Sequence, residues 1–336
     1  MRLENVLALT RGSLKTDPSI TSVNGIVFDA KKVKRGDLFV ALEPDTIEDA
    51  VFNGAYGIVF DRPTQISDAE IAWIKVDSVN EALKRLLRFH LIDRELDVYS
   101  CDPITLKLAK QLMTSSDFIV LEGTFVDICR ALWDVEPHTT VLFSPSSIEE
   151  ELFVSVKAMP QTAAAEPITI IEQTLFETSF IYENTFYERQ LLSPFFIPYL
   201  ERLLHFLKMK EIAFKLRPFL PIPHFEAVFT NSSFRVKEFG ASDRVLIFEP
   251  DFELIESQID FLQKQANWAK IIYVIPSHKQ KRLQGEPNIF TYRSVRDIID
   301  ILKSNDFHFA LIAEQDRSLL ERPLFDQRSG QLTLDL

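Results

Sequence analysis

Residues 98–110 read VYSCDPITLKLAK, an apolar run, a tight turn and then apolar residues at helical spacing. Strand, turn and helix in that order make the layout of a phosphate loop, in which glycines let backbone amides approach the phosphates and a lysine reaches the outer ones. The turn Ser100, Cys101, Asp102, Pro103, Ile104, Thr105 has neither glycine nor lysine. Pro103 has no amide to donate, and Asp102 puts negative charge where a polyphosphate would lie. The layout of a cradle is present without its donors.

Three other places carry reactive side chains. In PIPHFEAVF, His224 and Glu226 sit two apart on an expected strand, so both face one side and form an acid/base or chelating pair, or else a satisfied structural pair. His138, after Glu136 and Pro137, reads as a loop histidine rather than a metal ligand, and His205 as helix packing. Cys101 falls near an expected helix N-terminus, which favours a thiolate, but Asp102 opposes that and no histidine partner is evident.

The bulk composition narrows the partners. The formal net charge is -12 over 336 residues, which argues against nucleic acid, since phosphate backbones need a basic face. The basic clusters KKVKRG at 31–36 and HKQKR at 278–282 are short and flanked by acids. No apolar run approaches the roughly 18 residues of a spanning helix. The opening MRLENVLALTRGSL reads as no signal peptide, and two cysteines suit a reducing cytosol, so a cytoplasmic protein is expected. Glycine is scarce at 9 and phenylalanine abundant at 28, against an average glycine share of about 7%. A chain with few glycines has few places for close backbone approach to phosphates.

The elements that must position these residues alternate. Strands are expected in 25–30, 36–42, 56–61 and 72–77, then a helix over 79–92 with Ala82, Leu83, Leu86, Leu87 and Phe89 on its buried face. A strand at 96–100, a helix over 104–113 and strands at 117–123 and 139–144 continue a parallel-sheet rhythm. The stretch 159–167 reads as a loop. A hairpin turning at Glu183 and Asn184 precedes a long helix from residue 197, and prolines at 217–225 break the chain. The last third repeats the rhythm with a strand at 243–249, a helix over 250–266, two further strands and a helix, and a short turn and strand at 328–336. The expected domains are 1–93, 94–216 and 217–336. Aromatics in 195–209 and 217–229 fill a core or, alternatively, form a partner surface.

FDAKKVKRGDLFVAL followed by NGAYGIVF resembles the N-terminal domain of the Mur ligases, whose pattern there is DSR-x-V-x-x-GDLFVAL and then NGA-x-x-VV. The matching positions are Val33, Gly36, Asp37, Leu38, Phe39, Asn53, Gly54 and Ala55. DVYSCDPITLKLAK falls where that family has ITG-x-x-GKTTTK, and FEPDFELIESQIDF falls where it has DD-x-YNANP. The resemblance implies a three-part α/β architecture: a small N-terminal domain, a reduced central P-loop-like parallel-sheet domain and a C-terminal Rossmann-like domain. The nearest branch is the D-alanyl-D-alanine-adding ligases. By this alignment Pro103 replaces the second glycine and Ile104 the lysine, while Thr105 keeps a magnesium-ligating position. Lys107 and Lys110 lie too far along the helix to substitute simply. Asp29-Ala30-Lys31 stands for DSR, the glycine and DGH stretch is missing, and only Glu249-Pro250-Asp251 remains of the nucleotide-contacting motif.

The resemblance therefore implies a non-catalytic relative in peptidoglycan precursor metabolism, with no cofactor. Its partner would be a protein or a UDP-linked wall precursor, the latter held by Asp29, Lys31, Asp37 and Asn53; turn formation around GDLF is the structural alternative for those four. A second reading is an active ligase using Mg-ATP, with Thr105 and then Glu122 or Asp127 at magnesium. A third is a small-molecule or metal enzyme built on His224 and Glu226.

Overall fold

The computed structural model describes residues 1–145, 150–161, 167–238, 242–283 and 285–321. They form two compact units, Met1–Asp102 with Ser116–Met159, and Pro103–Ser115 with Pro160–Leu336. The expected strand at 328–336 and residues 162–166 of the expected loop lie outside the described residues.

The first unit contains two sheets. Strands β1 (Ser13–Leu14), β2 (Ile26–Val27), β3 (Leu38–Val40), β4 (Gly57–Phe60) and β5 (Ala72–Lys75) are ordered β1-β5-β4-β3-β2. All pairs are parallel except β1 with β5. Side chains alternate across this sheet, as the two-residue strand period requires. Phe39, Ile58, Phe60 and Trp73 pack on one side with helix α2 (Ile47–Phe52). Leu38, Val40, Val59 and Ile74 pack on the other with helices α1 (Leu3–Thr10) and α3 (Val79–Leu91). Covered on both faces, these strands read as continuous apolar runs.

The second sheet of this unit is fully parallel, ordered β10 (Lys157–Ala158), β6 (Asp97–Ser100), β9 (Thr140–Phe143), β8 (Phe118–Leu121). Helix α5 (Phe125–Trp133) follows β8 and begins with a capping box, Thr124 to Asp127 and back. Leu83 and Leu86 of α3, Cys129 and Leu132 of α5, and Val98 and Val141 of the second sheet belong to the same apolar core as Val59 and Ile74 of the first. The two sheets of this unit therefore share one core. Phe89 is a correction: it is exposed, and the buried stripe of α3 runs through Leu86 and Leu87 to Leu91.

In the second unit, helix α4 (Pro103–Ala109) is shorter than the helix expected over 104–113. Turn hydrogen bonds from Gln111 to Leu108 and from Leu112 to Ala109 end it, and β7 (Met113–Thr114) pairs with β14 (Phe214–Lys215). Strands β11 (Thr169–Gln173), β12 (Thr178–Tyr182) and β13 (Thr185–Gln190) form an antiparallel sheet. The hairpin turns at Glu183 and Asn184 with φ of 48° and 61°, the paired positive values of a two-residue primed turn. Helix α6 (Ile197–Met209) follows. The last sheet is ordered β15 (Glu226–Thr230), β16 (Arg244–Glu249), β19 (Phe309–Ala313), β17 (Ile271–Pro276), β18 (Ile289–Tyr292), parallel except for β15. Helices α7 (Ile255–Gln265) and α8 (Val295–Ser304) belong with this sheet in sequence; α7 starts later than expected because Asp251 caps a 3-10 turn first.

Candidate functional site

Between β6 and α4 only Cys101 and Asp102 intervene. The Cys101 amide donates to the Phe143 carbonyl at 2.9 Å, and the Ser100 carbonyl accepts from Met159 at 2.8 Å, so the strand end is laddered on both sides. The Cys101 amide is engaged and Pro103 has none, so neither of these two positions donates to a phosphate. Ile104, at the position the resemblance gives to lysine, is fully buried, as is Thr105. Burial, aided by the adjacent Asp102 charge, raises the Cys101 thiol far above its ordinary range, while burial alone pushes Cys129 up to about 12. These are inert structural thiols. Asp127 is exposed and engaged: hydrogen bonds from the Thr124 hydroxyl and amide hold its carboxyl below the usual range.

The four residues near GDLF form one clasp. Asp37 is buried, its carboxylate accepting from the Gly25 amide at 3.1 Å and the Lys34 amide at 2.9 Å. Asp29 caps the 3-10 turn Ala30–Lys32 by accepting from the Lys31 amide at 3.1 Å. Asn53 donates to the Ala30 carbonyl at 3.0 Å, tying the end of α2 to the same turn. Gly36 sits at φ 98°, where a side chain would meet Asn24. The Lys31 side chain is exposed. Asp29 and Asn53 thus both bond the backbone of the Ala30–Lys32 turn, and Asp37 braces the loop that carries Asp29 and Lys31.

His224 and Glu226 line one cavity, yet they do not form the pair expected from their spacing. Phe225 between them has φ of 45°, which interrupts the extended backbone. The partner of His224 is Glu249, whose Oε1 lies 2.8 Å from Nδ1. Glu249 is wholly buried at the C-terminal end of β16 and accepts four hydrogen bonds: from His224 Nδ1, the Phe225 and Asp251 amides, and Gln258 Nε2. A buried carboxylate with all its lone-pair positions facing donors fixes the proton of His224 on Nδ1. Glu226 is half-buried and its carboxyl is raised by burial, partly offset by Arg317 at 3.7 Å. Among the described residues no group of three or more histidine, cysteine, aspartate or glutamate side chains converges as a metal site. His138 is exposed beside Glu95, at φ 63°.

The cavity holds about 150 Å³ and is walled by Phe176, Phe196, Phe229 and Ile222 with His224 and Glu226 at polar positions. Phe195, Phe225 and Phe261 form a ring cluster at 5.5–5.6 Å, with Phe195 and Phe225 stacked and Phe261 edge-on to both. Much of the phenylalanine excess is core, as expected for the stretches 195–209 and 217–229: Phe195, Phe196, Phe206, Phe219 and Phe225 are all buried. Glu249 was missed as a site residue. Its available signal was an acid at the carboxyl end of an apolar strand, in VLIFEPD, where open α/β sheets gather polar groups.

No protein-family model matches the chain. A UDP-N-acetylmuramoyl-tripeptide--D-alanyl-D-alanine ligase of Rickettsia prowazekii is 30% identical over 108 residues, 31% of this chain. The match spans only 23% of that relative's length. A crystal structure of MurF from Acinetobacter baumannii superposes with a TM-score of 0.50 at 10% identity, over 97% of this chain and 99% of that one. At that identity the superposition speaks for the fold alone. Part of the chain is thus similar in sequence to a ligase of this kind, and its fold over nearly the whole length is similar to that of the MurF structure.

Proposed function

We propose that this chain is a non-catalytic relative of the Mur ligases that binds a UDP-linked wall precursor or a protein partner in peptidoglycan precursor metabolism in the cytoplasm. The turn between β6 and α4 carries the reading. A nucleotide-dependent ligase needs amides and a cation around the β- and γ-phosphates, whereas here the Cys101 amide is bonded to Phe143 and Ile104 is buried. These residues do not fit Mg-ATP. Among the described residues no helix is long and apolar enough to cross a membrane. The relatives' names supply the pathway, and the clasp of Asp29, Lys31 and Asn53 supplies a place for a diphosphate or ribose. Lys31 offers a cation, and the others are held by the same turn.

Calorimetric titration with a UDP-muramoyl tripeptide tests this. Binding that weakens at least about fivefold in Lys31→Ala supports a precursor-binding protein. No binding of the tripeptide removes the precursor and leaves the protein-partner form of the proposal. Amide-bond formation from the tripeptide, D-alanyl-D-alanine and Mg-ATP would overturn it.

A further inference from the structure

Glu249 stands in the remnant of the nucleotide-contacting motif, but its partner His224 does not, and His224 lines a partly open, largely apolar cleft. Nδ1 of His224 is taken by Glu249, while Nε2 has no hydrogen-bond partner among the described residues. It is not a sealed orphan either, because His224 forms part of the cavity wall. The ring itself is more than nine-tenths buried. With Nδ1 taken by Glu249, Nε2 is the ring nitrogen left to hydrogen-bond a ligand.

The surrounding chemistry limits what that nitrogen can meet. Ser193 also lines the cavity, but its hydroxyl donates to the Leu175 carbonyl at 2.7 Å and accepts from the Phe195 amide at 3.2 Å. It is committed to its own turn and is no nucleophile for His224. The site is therefore built to bind rather than to transfer an acyl group. Among the described residues, Glu177 and Glu226 are the charged lining residues, each paired with an arginine outside the lining, Arg189 at 3.3 Å and Arg317 at 3.7 Å. An anion entering this largely apolar cleft would lose hydration that no lining lysine or arginine replaces. The volume, about 150 Å³, is that of a cavity able to hold one benzene-sized ring. Aromatic walls suit such a ring by edge and offset contacts.

We propose that this cavity is a binding site for a small neutral aromatic molecule bearing one hydroxyl, of the phenol class, with the hydroxyl hydrogen-bonded to Nε2 of His224. Glu249 acts as the positioning residue that holds the ring. The proposal is independent of whether the chain binds a wall precursor.

Titration of the full chain with phenol, benzene and benzoate, followed by NMR of the histidine ring resonances, tests it. Phenol is expected to bind about tenfold more tightly than benzene, the margin of one good hydrogen bond in an apolar site, and to shift the His224 signals. Benzoate is expected not to bind. In His224→Leu the preference for phenol over benzene should vanish. If that variant does not fold, the wild-type shift of His224 by phenol and not by benzene decides. Equal binding of phenol and benzene, binding of benzoate, or no response from His224 would each overturn the proposal.

Discussion

Nδ1 of His224 lies 2.8 Å from Oε1 of Glu249, a residue 25 positions later in the chain and wholly buried at the end of β16. The contact joins the irregular segment before β15 to the central strands of the last sheet. Because the Phe225 and Asp251 amides and Gln258 also donate to Glu249, one carboxylate organises the start of β15, the exit from β16 and helix α7.

Glu249→Gln keeps the shape but puts an amide donor where other donors converge. Removing one member of a buried, hydrogen-bonded charged set costs about 3–5 kcal/mol, and the variant should lose that order of stability in urea denaturation. A loss below about 1 kcal/mol would mean that the cluster is not formed as described.

Asp37→Ala leaves the Gly25 and Lys34 amides without their acceptor inside a buried turn. A cost of about 1–3 kcal/mol is expected. Asp29→Ala removes only a cap on a short, partly exposed 3-10 turn and should cost about 1 kcal/mol or less. Chemical denaturation of both variants checks the order. Asp29 proving the more costly would contradict the assignment of Asp37 as the brace.

Both thiols are buried and raised well above the ordinary cysteine range. At neutral pH neither forms appreciable thiolate, so a thiol reagent should label the native protein very slowly and reach both cysteines only after denaturation. Rapid native labelling at Cys101 would show that the turn is open.

Glu226 has its carboxyl raised by burial, with Arg317 acting in the opposite sense. A raised folded-state value means that the folded chain holds the proton more tightly than the unfolded one. This contribution to stability is fully present below the ordinary glutamate range and is lost as pH rises through the raised value. Relative to wild type, Glu226→Gln should therefore gain in melting temperature as pH is taken from acidic to neutral. A constant difference across that range would contradict the shift.

Local patterns were readable wherever packing and backbone geometry agree with them. The parallel strands of the first sheet show as apolar runs, and the hairpin shows in Glu183–Asn184 between two alternating segments. Turn-to-helix geometry after β6 was also legible, together with its lack of glycine and lysine. Tertiary context decided the rest. Phe89 lies off the stripe that α3 buries, and α4 ends at Ala109 because the chain must turn to place Met113–Thr114 beside Phe214–Lys215. His224 and Glu226 looked paired because a regular strand would align them. The positive φ at Phe225 breaks that strand, and the actual partner comes from a different β-strand, which no short-range spacing encodes.

The central claim is that the turn between β6 and α4 has the layout of a phosphate loop without its function. The most direct measurement is calorimetric titration of the full chain with Mg-ATP. The account predicts no binding heat. Micromolar binding that is lost on introducing a glutamate next to the turn, as in Ser100→Glu, would place nucleotide there and contradict it.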